Sequence, residues 1–320
     1  MDRRPLIPPG PGAVPRSAWS EADWGRWAEA GFRWIDRGAT RVVVDGPGLV
    51  TAEAVQACLD RKPAARWWTW TVAPELPSTM PVALRRFTAS GTPTAVLADM
   101  QTAGRGRRGR TWVSAPGGGL HLSLAWRAAP TQLAGPLMLA AGVVVAESLS
   151  QATGAAIGLK WPNDGLIDGR KCFGLLAQAR GEPNPRVVLG IGVNVNGGPS
   201  GGIEGAISLE QATGRPWPRA CLAAGLAAGV AAMVADWAST GPGPWLQRWR
   251  SRNVTLGRTI TVLAADSIFT GDALDIRADG ALLVRRPDGR TEAVTAGDVS
   301  LRPGPPAPAA GGPDSPSREP

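Results

Sequence analysis

Histidine, lysine and cysteine are scarce in this chain of 320 residues. His121 is the single histidine, and Cys58, Cys172 and Cys221 show no C-x-x-C spacing. Such a set assembles neither a Ser-His-Asp triad nor a His/Cys zinc cluster. An odd number of scattered cysteines argues against a disulfide framework and for a reducing compartment. The first dozen residues lack the charged-then-apolar order of a signal peptide. Long apolar runs are missing too. The most apolar stretch, 221–237, is rich in Ala and Gly and too short and weakly hydrophobic to span a bilayer, so it reads as a buried helix. These absences predict a soluble, cytoplasmic protein. Only Lys62, Lys160 and Lys171 are lysines, so arginine carries the net charge of +8. A pI near 10.7 admits nucleic acid, acidic membranes or anionic small molecules as partners.

What is present concentrates in one run, Gly104-Arg105-Gly106-Arg107-Arg108-Gly109-Arg110. Glycine lets backbone approach a ligand closely, and arginine supplies a planar donor fork for phosphate and carboxylate. Packing these like charges together is unfavourable until an anion neutralises them, so the run reads as a flexible clamp for a polyanion. It also matches G-x-G-x-x-G through Gly104, Gly106 and Gly109. That fingerprint needs a helix opening behind it, and turn residues follow instead.

Length suits two domains, and a hydrophobic content of 43% supports a real core. Residues 1–19, rich in Pro, Gly and Arg, read as a disordered leader. In 20–70, Ser20 caps a short helix carrying Trp24, Trp27 and Ala28, a strand covers 41–44, and Thr51 caps a second helix. A strand is predicted within 66–72, where Trp67, Trp68 and Trp70 read as packing groups rather than a base-stacking platform. Strands at 94–99, 120–126 and 187–196 and a helix from Pro136 to about Gln151, stopped by Gly154, follow. Asp168-Gly169 makes a two-residue hairpin turn that sets Lys171 on the return strand. A helix over 219–237 packs through Leu222, Leu226, Val230, Met233 and Trp237. Short strands over 254–302 suit a small closed barrel, and 303–320 read as a disordered tail.

Four segments occur in order: Gln101 to Trp112 around the arginine run, Lys160-Trp161-Pro162-Asn163-Asp164, Gly169-Arg170-Lys171 with Gly174-Leu175-Leu176, and Gly190-Ile191-Gly192-Val193-Asn194-Val195-Asn196. With them the chain resembles the biotin protein ligases, the biotin–[acetyl-CoA-carboxylase] ligase family. The resemblance implies an α+β fold: a catalytic domain over 71–253, with a mixed, largely antiparallel sheet flanked by helices as in class II synthetases, then an SH3-like β-barrel. It implies ATP and biotin as substrates, Mg²⁺, and a biotin carboxyl carrier domain as acceptor. Biotin is activated as biotinyl-5'-AMP and then passed to an acceptor lysine.

The resemblance also implies roles. Arg107, Lys171 and Asp164 are the catalytic candidates. Ser78, Thr79, Gln101, Gly104, Arg105 and Gly106 join Arg107 and Lys171 in holding biotin. Arg108, Arg110, Trp112, Lys160, Asn163, Asp164 and Asn194 face ATP, and Asp164 is the Mg²⁺ ligand. Two positions depart from the family: Met80 stands where an asparagine is usual, and Gly165 where a leucine is. No complete helix-turn-helix is found before residue 71, so operator binding is not expected. A homodimer is compatible with the family. On local grounds alone His121 reads as a packing residue, Asp164 as a turn residue, and Asn194 and Asn196 as strand-end caps. Two other functions are weighed, a lipoate or octanoate ligase or transferase of the same fold and a basic nucleic-acid-binding regulator.

Overall fold

The computed structural model describes residues 50–113, 117–128, 134–181, 185–198, 203–264 and 267–301 and, earlier, 12–15, 17, 20–22, 25 and 33–45. The chain divides into two compact units, Met1–Val254 and Thr255–Pro320.

The first unit opens with a small antiparallel sheet. Strands β1 (Gly12–Pro15) and β2 (Arg33–Arg37) both pair with β3 (Thr40–Asp45). Strand β1 lies within the expected disordered leader and pairs its backbone with β3 over four residues, so those four residues depart from the expectation; most of the rest of 1–19 lies outside the described residues. The helix expected to carry Trp24, Trp27 and Ala28 lies largely outside the described residues, as does the tail beyond residue 301. Helix α1 (Ala52–Leu59) begins where Thr51 accepts a hydrogen bond from Ala54 N at 3.1 Å.

A seven-stranded sheet follows. Its strands are β4 (Thr69–Leu76), β5 (Thr94–Gln101), β6 (Gly119–Arg127), β7 (Gly158–Lys160), β8 (Asp164–Ile167), β9 (Arg170–Arg180) and β10 (Arg186–Asn194), in the order β4-β5-β6-β10-β9-β8-β7. Only β4 and β5 run parallel, which requires a crossover, supplied by helix α2 (Thr79–Ser90). Gly91, at φ 71°, ends α2 in the left-handed conformation that glycine adopts without penalty.

Both faces of β6 are buried, as a central covered strand demands. Ala125 packs with Ala83 and Phe87 of α2 and Val188 of β10. The adjacent Trp126 points to the other face and meets Trp68 edge to face at 5.9 Å. Trp68 Nε1 in turn donates to the carbonyl of Ala227 at 2.9 Å. That second face is covered by α3 (Ala134–Thr153), with α4 (Leu209–Thr213), α5 (Arg219–Thr240) and α6 (Gly243–Arg252) completing the set. The apolar run at 221–237 belongs to a longer helix of 22 residues. Helices α3 and α5 are long and apolar enough to cross a membrane. Both instead supply core residues here, Val144 and Leu149 from one, Leu226 and Met233 from the other.

One expectation is overturned. Cys58 of α1 and Cys221 of α5 form a disulfide with their Cα atoms 5.1 Å apart. The two positions are 163 residues apart, and packing of α1 on α5 brings them together where no spacing rule applies. The argument for a reducing compartment loses that support. Cys172 is a free, buried thiol, pushed up to about 12 by burial.

The second unit is one antiparallel sheet of β11 (Thr259–Leu263), β12 (Ile268–Ile276), β13 (Leu282–Arg285), β14 (Thr291–Val294) and β15 (Asp298–Ser300), ordered β14-β13-β12-β11-β15. Ile260, Val262, Leu282, Val284 and Val299 fill its core.

Candidate active site

A cleft at the centre of the large sheet gathers residues from four strands and one helix end. Ser78, Thr79, Met80, Gln101, Arg105 and Trp112 line it, together with His121, Ser123, Leu176, Gly190 and Gly192. Ser78 occupies the N-cap position of α2, yet its hydroxyl makes no capping bond. Thr79 donates to Gln101 Oε1 from its backbone N at 2.8 Å and from its hydroxyl at 3.1 Å. With that proton committed, the Ser123 hydroxyl donates to Thr79 at 2.7 Å. The chain fixes Gln101 through its oxygen and leaves its NH₂ as a donor at one end of the cleft. That end is neutral and rich in hydrogen-bonding groups, and Arg105 brings positive charge to the same cleft.

The arginine run is a folded hairpin, not an open clamp. Gly106 N donates to Arg110 O (2.7 Å), Arg110 N to Arg107 O (3.1 Å) and Trp112 N to Gly104 O (3.0 Å). Arg108 sits at φ 53° and Gly109 at φ 74°, the reversal that closes the tip. Arg108 and Arg110 are exposed there and do not line the cleft. Arg107 reaches back, donating from Nη1 to Asn163 Oδ1 at 3.3 Å. Asn163 is itself anchored, donating from Nδ2 to Leu175 O at 2.7 Å.

Lys171 stands beside this junction. Its Nζ lies 2.7 Å from Asp164 Oδ1 and 5.6 Å from the centre of the Trp112 ring. The local geometry follows from Asp168 (φ 49°) and Gly169 (φ 74°), whose paired positive φ values make the tight hairpin joining β8 to β9. Lys160 is the cross-strand partner of Asp164. Asn194 donates through Nδ2 to the carbonyls of Lys171 (3.2 Å) and Ile207 (3.3 Å), so it braces the Lys171 backbone. Asn196 does the same for Trp217, donating to its carbonyl and accepting from its N–H. Gly165 has a local cause: the Phe173 ring occupies the space a side chain would need there.

Strand register brings in two residues outside the four motifs, Ser123 and His121. Ser123, His121, Gly190 and Gly192 enter the cleft because β10 pairs with β6, Gly190 opposite Ser123 and Gly192 opposite His121. A Cβ at Gly192 would stand 2.7 Å from the Trp112 ring, so the indole lies directly on that strand. The β-period in 120–126 was the available signal for Ser123, two residues from His121 on the same face.

Behind the cleft, Asp99 and Arg219 form an ion pair with side chains 2% and 1% exposed. Burial raises the Asp99 pKa and lowers that of Arg219, and each partner opposes the shift of the other. His121 is pushed down to about 4, first by burial. In the unfolded chain it titrates near 6.5, so between those values only the unfolded state binds the proton. Stability from the neutral ring is therefore complete above pH 6.5 and falls as pH drops towards 4, by about 3 kcal/mol. Replacing His121 with glutamine should flatten that part of the stability profile. Denaturant titrations at pH 4.5, 5.5 and 7 measure it, and an unchanged slope refutes the assignment.

Two family models match the chain. Residues 72–196 match the biotin/lipoate A/B protein ligase family, and residues 255–302 match the biotin protein ligase C-terminal domain. The bifunctional ligase/repressor BirA of Escherichia coli is 32% identical over 276 residues, which is 83% of this chain and 85% of that protein. For the Bacillus subtilis protein of the same name the figures are 34% over 215 residues, 65% of this chain and 66% of the relative. The biotin–[acetyl-CoA-carboxylase] ligase of Mycobacterium tuberculosis is 36% identical over 210 residues, 64% of this chain and 77% of that one. Among solved structures, the biotin protein ligase from Aquifex aeolicus in complex with biotin and ATP superposes with a TM-score of 0.63 at 27% identity. It covers 73% of this chain and 98% of that one. With the four motifs gathered around one cleft and relatives aligned over most of their length, this chain belongs to the biotin protein ligase family.

Proposed function

We propose that this protein couples biotin to ATP and passes the activated biotin to a lysine of a biotin carboxyl carrier domain, in the cytoplasm where ATP is supplied. One observation carries the reading: a single cleft is lined both by neutral hydrogen-bonding groups, from Thr79, Gln101 and Ser123, and by the cation of Arg105. A ureido ring needs donors and acceptors at one end, and a carboxylate needs positive charge at the other. The dithiolane of lipoate has no hydrogen-bonding group to use the first end, which disfavours the lipoate reading.

In the first step a biotin carboxylate oxygen attacks the α-phosphorus of ATP, and pyrophosphate leaves. Two anions must approach, so Arg105, Arg107 and Lys171 offset their repulsion and stabilise the charge that develops. Trp112, lying flat on Gly192, offers an aromatic face to adenine. In the second step the acceptor amine attacks the acyl carbon and AMP leaves. Asp164, ion-paired with Lys171, takes the proton from the incoming ammonium, whose ordinary pKa near 10.4 keeps it charged.

Mg²⁺ fits one hard oxygen donor here, the carboxylate of Asp164. Among the described residues no three His, Cys, Asp or Glu side chains cluster to hold a metal. The ion would accordingly rest on Asp164 and nucleotide phosphates, and it would neutralise phosphate charge.

Incubation with ATP, labelled biotin or lipoate, and an acceptor domain tests the reading. Label from biotin alone, dependent on ATP, supports it; label from lipoate, or none, refutes it. Asp164→Asn separates the steps. Transfer from preformed biotinyl-5'-AMP should fall by about 100-fold, a typical general-base contribution. Unchanged transfer measured by single-turnover labelling removes the base role.

A further inference from the structure

We infer that Asp99 and Arg219 are positioning residues for the ligand cleft, holding the turn at residues 117–119 on which its rear wall is built. The inference rests on the cleft being the biotin pocket. Neither side chain lines it.

The pair is badly placed for stability alone. Replacing a buried ion pair with apolar groups often leaves stability unchanged or raises it. Arg219 is also the first residue of α5, where a cation opposes the helix dipole. What the pair does hold is specific. Arg219 Nη1 donates to Gly119 O at 2.9 Å, and Gly117 N donates to the Asp99 carboxylate. The same turn accepts from the other side, at Gly118 O, from Val195 N (3.0 Å) and Asn196 N (2.8 Å). The turn is thus pinned between β5, α5 and the end of β10.

Two cleft components depend on that pinning. A Cβ at Gly119 would stand 2.6 Å from the His121 ring, so the ring leans on the backbone of this turn. His121 itself lines the cleft. Asp99 also lies two residues before Gln101 on β5, so the pair secures the strand that presents the Gln101 amide. A shift of about 1 Å in such a support misplaces bound ligand enough to cost as much as 100-fold.

The test is the apolar double substitution Asp99→Leu with Arg219→Met, measured by thermal melting and by biotin affinity in calorimetry, with KM for biotin alongside. The parent protein must bind biotin in the same assay; if it does not, the pocket reading itself fails. The expected result is a melting temperature near the parent's with biotin Kd and KM raised roughly 10- to 100-fold. A variant that binds biotin within twofold of the parent overturns the inference. Should the double variant fail to fold, Asp99→Asn is judged by the same Kd criterion, because losing folded protein lowers apparent kcat without moving Kd.

Discussion

Replacing Lys171 with methionine should slow biotinyl-5'-AMP formation by about 100- to 1,000-fold, the usual effect of removing one group that stabilises developing charge. The lysine is not held by chance. The hairpin at Asp168 and Gly169 turns it back along β9, Asn194 braces its carbonyl, and Asp164 and Trp112 flank its ammonium. A methionine keeps the bulk and removes the charge, so the fold should survive. Arginine at this position should restore only part of the rate, because a planar fork cannot replace a compact ammonium between those neighbours. Pyrophosphate release under saturating biotin and ATP measures the step. A rate within threefold of the parent would remove Lys171 from the chemistry.

The second large effect falls on stability. Asp99→Ala leaves the Arg219 guanidinium buried without its counter-charge, and such orphaned charges cost about 3–5 kcal/mol. That is a large share of the roughly 5–15 kcal/mol that holds a domain together. At about 2–4 °C per kcal/mol for a unit of this size, melting should drop by roughly 6–20 °C. Removing the cation as well, through Arg219→Met in the same chain, should recover most of the loss. A single variant that melts with the parent would mean that water reaches the pair.

Much of the site was legible because its chemistry sits in contiguous residues. The arginine run, the Trp-Pro-Asn-Asp segment and the turn before Lys171 are local features. Turn chemistry at Asp168 and Gly169 dictates where the lysine goes without any knowledge of the sheet. What escaped depends on register and long-range packing. Ser123 is unremarkable until β10 is set beside β6, where it faces Gly190, 67 residues away along the chain and directly opposite in the sheet. Arg219 reads as an ordinary helix-start residue until Asp99, far earlier, is placed beneath it. The disulfide between Cys58 and Cys221 is of the same kind, since no spacing announces which helices will touch. The hairpin form of the arginine run was hidden too, because its closure is made by backbone bonds rather than by side chains.

The strand order also bears on synthesis. Because β10 is inserted between β6 and β9, the cleft lacks a wall until residue 194 has left the ribosome. A nascent chain that has already displayed its arginine hairpin therefore has no place to seat the vitamin. Ligand-linked stabilisation cannot begin until β10 has emerged and paired with β6.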